Sequence, residues 1–351
     1  MSDSDLLSRA IGIVAPKASR IYGFFRNGRL LLALPGTRGP AMVALGLYQP
    51  QRPAARLVIG ILKAMVVMGM HRWVLPRMHV RETDGEVVLP LIGIRPDTCG
   101  VLFGSHEHAV CRVIACYLND GKWEVAKVSF GEDGSRMLAS EAGALVTLHG
   151  MVAGVPPLLG LHQGTDATVL RMPRLTGQPL KAGNASAALQ LLERWILPGE
   201  PMSATTFDEW KSIAAALSNF KGGDHALNHI SERLLQPVVR HGDFARWNLL
   251  RQSDGSLLAL DWEWGGLNGM PGLDLVHFFL QEARLVKRQN PTAAIETTIR
   301  ELDHPACRDY LSRTGWTGES SLPIIACLAY KQGAGHQQNQ ELLKIAVEMM
   351  A

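Results

Sequence analysis

Between positions 241 and 263 the chain gathers the polar groups that moving a phosphoryl group onto a hydroxyl requires. They are His241-Gly242-Asp243-Phe244-Ala245-Arg246-Trp247-Asn248, then the apolar run Leu257-Leu258-Ala259-Leu260 that delivers Asp261-Trp262-Glu263. The reaction needs one carboxylate beside the attacking hydroxyl, and an amide oxygen with a second carboxylate to hold magnesium on the phosphates. Asp243 in the pattern His-x-Asp-x-x-x-x-Asn suits the first role, as base, and Asn248 and Asp261 suit the second, as metal ligands. The four-residue loop between Asp243 and Asn248 lets both side chains face one cleft. His241 reads as a residue that braces this loop rather than as a base.

The elements around these residues follow from turn chemistry and periodicity. The Asp-Gly pair in Ser253-Asp254-Gly255-Ser256 tolerates positive φ and predicts a hairpin from Leu249-Leu250-Arg251 to Leu257-Leu258-Ala259-Leu260, with Asn248 at its entrance and Asp261 at its exit. Upstream, short strands are expected over 87–94, 98–103, 109–118 and 123–128, the last two joined by an Asn119-Asp120-Gly121 turn, and further strands over 158–163 and 167–172. A helix is expected over 135–148. Later helices are expected over 185–197, 204–220 behind a Ser203 cap, 224–235, 273–286, 291–302, and 321–350 with a break near Gly333-Ala334-Gly335.

The segments HGDFARWN and LALDWEWG, in this order and at this separation, resemble the aminoglycoside phosphotransferase family, kinase-like enzymes that phosphorylate small molecules and include choline-kinase-like relatives. Gly242 where protein kinases carry Arg, and Trp262-Glu263 where they carry Phe-Gly after the metal Asp, point to the small-molecule branch. The resemblance implies a two-lobed α+β fold: a basic N-terminal extension of unassigned fold (1–82), an antiparallel N-lobe (83–173) and a helical C-lobe (174–351). It implies ATP and Mg2+ as cofactors. It also makes Lys127, in Trp123-Glu124-Val125-Ala126-Lys127-Val128, the strand lysine that pairs nucleotide phosphates. Glu141 on the following helix is its expected partner, with Glu124 and Glu132 as alternatives. Gly104 and Ser105, in Gly104-Ser105-His106-Glu107-His108, stand where a phosphate-covering loop belongs, although the Gly-x-Gly-x-x-Gly pattern is missing. Backbone groups from Met172 to Arg174 stand where the adenine edge would bind, and Asp274 where the family has an aspartate that caps a helix and braces the loop.

Composition sets the frame. With 47% hydrophobic and 19% charged residues among 351, the chain can bury one large or two moderate cores. Its five cysteines, an odd number without a Cys-x-x-Cys pair, argue against a disulfide framework. The start lacks a basic secretory n-region, and the 57–70 apolar run is interrupted by Lys63, so a cytoplasmic protein without a membrane span is expected. His106, Glu107, His108 and Cys111 match no zinc-ligand spacing.

Charge is uneven, because residues 1–81 hold 12 Lys or Arg against 2 acids, a net of +10 beside +3 for the whole chain. A helix at 5–14 and another at 53–70 are expected there. The plain reading packs them on the N-lobe with their basic residues in water. A second reading is peripheral contact with an anionic membrane at the inner membrane surface through residues 1–81. No nucleic-acid module is present, so nucleic acid is set aside as a partner. Two functions then compete: an ATP-dependent phosphotransferase acting on a small-molecule hydroxyl (sugar, amino sugar or amino alcohol), and a catalytically silent kinase-like nucleotide binder working in a membrane-surface or glycan-assembly complex.

Overall fold

The computed structural model describes residues 21–48, 50, 53–78, 99–103, 111–165, 167–181, 183–333 and 339–350, with residues 53 and 111–113 in backbone only. The chain divides into two compact units: the described residues up to Val146 with Pro156–Thr176, and Thr147–Val155 with Gly177 onward.

The first unit is built on an antiparallel sheet. Its strands are β1 (Ile21–Arg26), β2 (Arg29–Pro35), β3 (Gly100–Phe103), β4 (Cys111–Asn119), β5 (Lys122–Phe130), β6 (Gly160–Gln163) and β7 (Ala167–Pro173), in the order β1-β2-β3-β4-β5-β7-β6. Two-residue loops close two of its hairpins, Asn27-Gly28 (φ 52 and 76°) and Asp120-Gly121 (φ 46 and 76°). Positive φ at both positions gives the turn hand that matches strand twist. The expected strand at 87–94 and the helix at 5–14 lie outside the described residues.

The separate N-terminal extension expected over 1–82 is corrected for its described part. Leu32 and Ala33 of β2 pair with Leu102 and Val101 of β3, so β1 and β2 belong to the same sheet as β4 and β5. The reason is burial on both faces. Leu30 and Ala33 enter one core with Val101, Ala126, Val128 and Val169, while Leu32 and Leu34 enter another with helices α1 (Arg38–Leu45) and α2 (Pro53–Met68). A strand covered on both sides is continuously apolar and shows no alternation. Helix α2 ends at Gly69 (φ 75°), whose N–H reaches Val66 O while Met70 N–H reaches Met65 O, the paired bonds of a glycine C-terminal cap. The short α3 (His71–Val74) follows, and α4 (Glu132–Leu148) comes after β5.

The second unit is mainly helical. It contains α5 (Ala185–Glu193), α6 (Trp210–Leu217), α7 (Gly223–Ser231), α8 (Leu273–Gln281), α9 (Pro291–Leu302), α10 (Pro305–Arg313), α11 (Ser321–Gly333) and α12 (Gln340–Met350). The antiparallel sheet unit and this helical unit are the α+β architecture expected. The helix expected over 204–220 is split: Ser203 accepts from Thr205 N–H and caps only a 3-10 turn, after which extended Phe207 separates it from α6. The helix expected over 273–286 changes at Glu282 into a π turn, and α10 was not expected. The predicted hairpin is present as β12 (Leu249–Arg251) and β13 (Leu257–Ala259), to which β8 (Gln178–Pro179) adds a third strand. Short pairs join β9 (Met202–Ser203) to β10 (Leu234–Leu235) and β11 (Val238–Arg240) to β14 (Gly266–Gly269).

The close approach of α1 to β3 is testable. A Cβ on Gly100 would lie 2.0 Å from Ala44 Cβ, so Gly100→Ala must push the helix off the sheet. The expected loss, read as a urea midpoint, is about 1–3 kcal/mol. Adding Ala44→Gly should recover part of it, and a Gly100→Ala variant as stable as the parent would contradict this packing.

Candidate active site

In the second unit, the loop from His241 to Asn248 is held from behind by Asp274, in the first turn of α8. One carboxylate oxygen of Asp274 accepts from His241 N–H (2.7 Å) and the other from Gly242 N–H (2.9 Å). Helix α8 starts at Gly272, which takes the N-cap position at φ 81°, so Asp274 braces the loop from inside the helix rather than capping it. Gly242 has φ 82°, and a Cβ there would meet Trp264 Cβ at 2.4 Å, which excludes a side chain. Lys331 on α11 donates to the Gly242 carbonyl.

His241 is fully buried, and its tautomer follows from its partners. Its Nε2–H donates to Leu260 O (2.8 Å), so Nδ1 is the acceptor that receives Asp243 N–H (3.2 Å). With both nitrogens engaged and its ring stacked on Trp195, His241 ties the loop to the residue preceding Asp261. Trp195 and Trp262 are fully buried and donate to Ala153 O and Ala259 O, so neither offers a face to a substrate.

Asp243 is gripped at both oxygens. Oδ1 accepts from His277 Nε2–H (2.9 Å), and Oδ2 accepts from Asn248 Nδ2 (3.0 Å), which also donates to the Asp243 carbonyl (2.9 Å). About a third of the Asp243 side chain is exposed, and each carboxylate oxygen retains a lone pair for a hydroxyl. Burial alone would raise its pKa, but the hydrogen bond that His277 donates, with the charge of Lys331 nearby, holds it well below the usual carboxylate range. Burial, together with the Lys331 charge, pulls His277 below its ordinary range despite the opposing pull of Asp243, so at neutral pH it donates as a neutral imidazole. His277 was not among the sequence candidates. Its only signal is its place three residues after Asp274, one turn along the same helix.

Asp261 follows β13 with φ 68°, a left-handed conformation uncommon outside Gly but one that Asp and Asn tolerate better than other residues. Leu260 N–H donates to Asn248 O (2.7 Å), so backbone pairing keeps Asp261 and Asn248 on adjacent strand ends. The donor set suits magnesium. Because the Asn248 NH2 is directed at Asp243, its Oδ1 is the amide atom that could coordinate a cation, and Asp261 adds a hard carboxylate. No group of three His, Cys, Asp or Glu forms a metal cluster among the described residues, and magnesium held by one or two side chains and substrate phosphates does not need one.

In the first unit, Lys127 Nζ lies 2.5 Å from Glu141 Oε1, and both residues are buried. Strand alternation puts Glu124 on the opposite face, where it accepts from Tyr117 (2.7 Å), Asn119 (2.9 Å) and Arg171 (2.8 Å). Met172 is buried on β7, and the backbone N–H of Arg174 donates to Trp123 O, which commits it to the sheet. Gly104 and Ser105 lie outside the described residues.

No protein-family model and no curated protein matches the sequence. Among solved structures, a thermostable mutant of aminoglycoside phosphotransferase APH(4)-Ia in ternary complex with AMP-PNP and hygromycin B is 14% identical, with 72% of this chain and 94% of that chain covered at a TM-score of 0.47. APH(3'')-Id from Streptomyces rimosus, in complex with ADP and streptomycin, is 16% identical over 66% and 90% of the two chains, at 0.40. Plasmodium vivax ethanolamine kinase is 9% identical over 71% and 80%, at 0.41. At these scores the likeness assigns no role to any residue.

The environment of His277 predicts a pH dependence. A histidine whose folded pKa is depressed costs stability as pH falls below about 6.5, because the unfolded chain takes up the proton first. His277→Gln keeps a donor for Asp243 without that titration. Between pH 7 and 5, chemical denaturation should show the parent losing more stability than the variant, and equal losses would contradict a buried neutral His277. Asp243, depressed in the same direction, loses its contribution only at lower pH, from about 4 downward.

Proposed function

We propose that the protein transfers the γ-phosphoryl group of ATP to a hydroxyl of a small molecule. The observation that carries this reading is the state of Asp243: an ionised, partly exposed carboxylate whose position is fixed by His277 and Asn248 and whose loop is tied to the strand end bearing Asp261. Asp243 would accept the hydrogen bond of the acceptor hydroxyl and turn its oxygen towards phosphorus. Asn248 and Asp261 would hold magnesium, which when bound neutralises phosphate charge. Lys127, directed by Glu141, would hold nucleotide phosphates. The silent alternative is disfavoured because Lys127, Glu141, Asp243, Asn248 and Asp261 are all retained.

The test is a screen of sugars, amino sugars, choline-like alcohols and aminoglycosides for acceptor-dependent ATP consumption. With an acceptor in hand, Asp243→Asn should keep Mg-ATP affinity and lose transfer by about 10²–10⁴-fold in single turnover. Asp261→Asn should instead weaken magnesium-dependent nucleotide binding. Parental turnover by Asp243→Asn, or the reverse assignment of the two defects, would contradict these roles.

A further inference from the structure

Helix α2 carries two apolar stripes. Ile59, Leu62 and Val66 face the core against Leu32 and Leu34. On the opposite side Leu57, Ile61 and Met68, exposed at 67, 54 and 58%, lie at i, i+4 and i+11, one line along the helix. The exposed apolar surface continues through Met70 to Trp73 and Val74 on α3, with Trp73 86% exposed. Runs of exposed apolar residues this long are unusual on a protein that faces only water.

The charge around this face has one sign. Arg56 and Lys63 on one flank of α2, and Arg72 and Arg77 after it, are exposed, and residues 21–78 contain no Asp or Glu. We infer that this face of α2 and α3 docks on an anionic membrane surface, with the apolar stripe and Trp73 entering the headgroup boundary and the four cations meeting lipid phosphates. A second copy of the chain would bring the same positive charge against it. Residues 1–20, with three cations and two acids, offer little opposite charge. The helix lies on the bilayer and does not cross it. Its 16 residues span about 24 Å against a hydrocarbon core of about 30 Å, and its other side is committed to the sheet. No described helix is long and apolar enough to cross a membrane. This inference is independent of the proposed phosphotransfer.

Flotation of the full-length protein with phosphatidylcholine vesicles about one-third phosphatidylserine tests it. The protein should float with these vesicles, not with phosphatidylcholine alone, and less as salt is raised. Arg56→Gln with Lys63→Gln and Arg72→Gln should lower partitioning on the order of a hundredfold. Leu57→Gln with Ile61→Gln and Trp73→Gln should lower it at least about tenfold, with the melting temperature close to the parent's in this variant, whose altered side chains are exposed, and in the basic variant, which gives up only the bonds of Arg56 to Pro50 O and Arg72 to Gly69 O. Failure of the parent to float, or parental flotation of folded variants, overturns the inference. So does binding that appears only after removal of residues 1–20, which would assign the face to the chain's own N-terminus. A concentration-dependent dimer that the apolar substitutions abolish, without vesicle binding, would assign it to a second copy.

Discussion

The two carboxylate oxygens of Asp274 sit on consecutive backbone amides, His241 and Gly242, and the geometry of the Asp243 loop depends on that pair of bonds. Charge-assisted bonds to buried amides are among the stronger ones available to a chain. They fix Gly242, where the backbone of this loop turns through positive φ with no room for a Cβ. From that point, His241 links Asp243 N–H to Leu260 O and so sets the loop against β13. His277, a turn further along the helix that carries Asp274, reaches the Asp243 carboxylate. One helix therefore braces the backbone of the loop and orients its side chain.

This arrangement bears on how Asp243 would act. A general base is most effective with a pKa near the working pH, and Asp243 is held far below it. A permanently charged, fixed carboxylate is better suited to orienting a hydroxyl and taking its proton late, when the oxygen has already become acidic through bonding to phosphorus. Loose phosphoryl-transfer transition states ask for this, because most of their stabilisation comes from positioning and charge. Burial of Lys127 with Glu141 has the same character, since a desolvated ion pair adds little net stability but fixes the direction of an ammonium.

Local chemistry was legible in the sequence and long-range packing was not. The hairpin from Leu249 to Ala259 could be read because the Asp-Gly turn dictates its own backbone, and the spacing from Asp243 to Asn248 because it closes within a single turn. Strand β2 could not, since cover on both faces erases alternation and Leu34-Pro35-Gly36 reads as a break. His277 lies in the run Leu273-Asp274-Leu275-Val276-His277-Phe278-Phe279, where a histidine among apolar residues reads as core. Only the fold shows that it meets a residue 34 positions earlier. The Arg174 amide is committed by a cross-strand partner, Trp123, which no local pattern announces.

The proposed function requires this loop and strand end to hold magnesium on a nucleotide. The most direct measurement is the melting temperature of the purified protein titrated with ATP, with and without magnesium, in the parent and in Asp261→Ala. Binding to the native state alone raises stability by RT ln(1 + [L]/Kd), about 2.7 kcal/mol at a hundredfold excess over Kd. A magnesium-dependent rise in the parent that is largely absent in Asp261→Ala is the predicted result. No rise with any nucleotide, or one that Asp261→Ala leaves intact, would contradict the account.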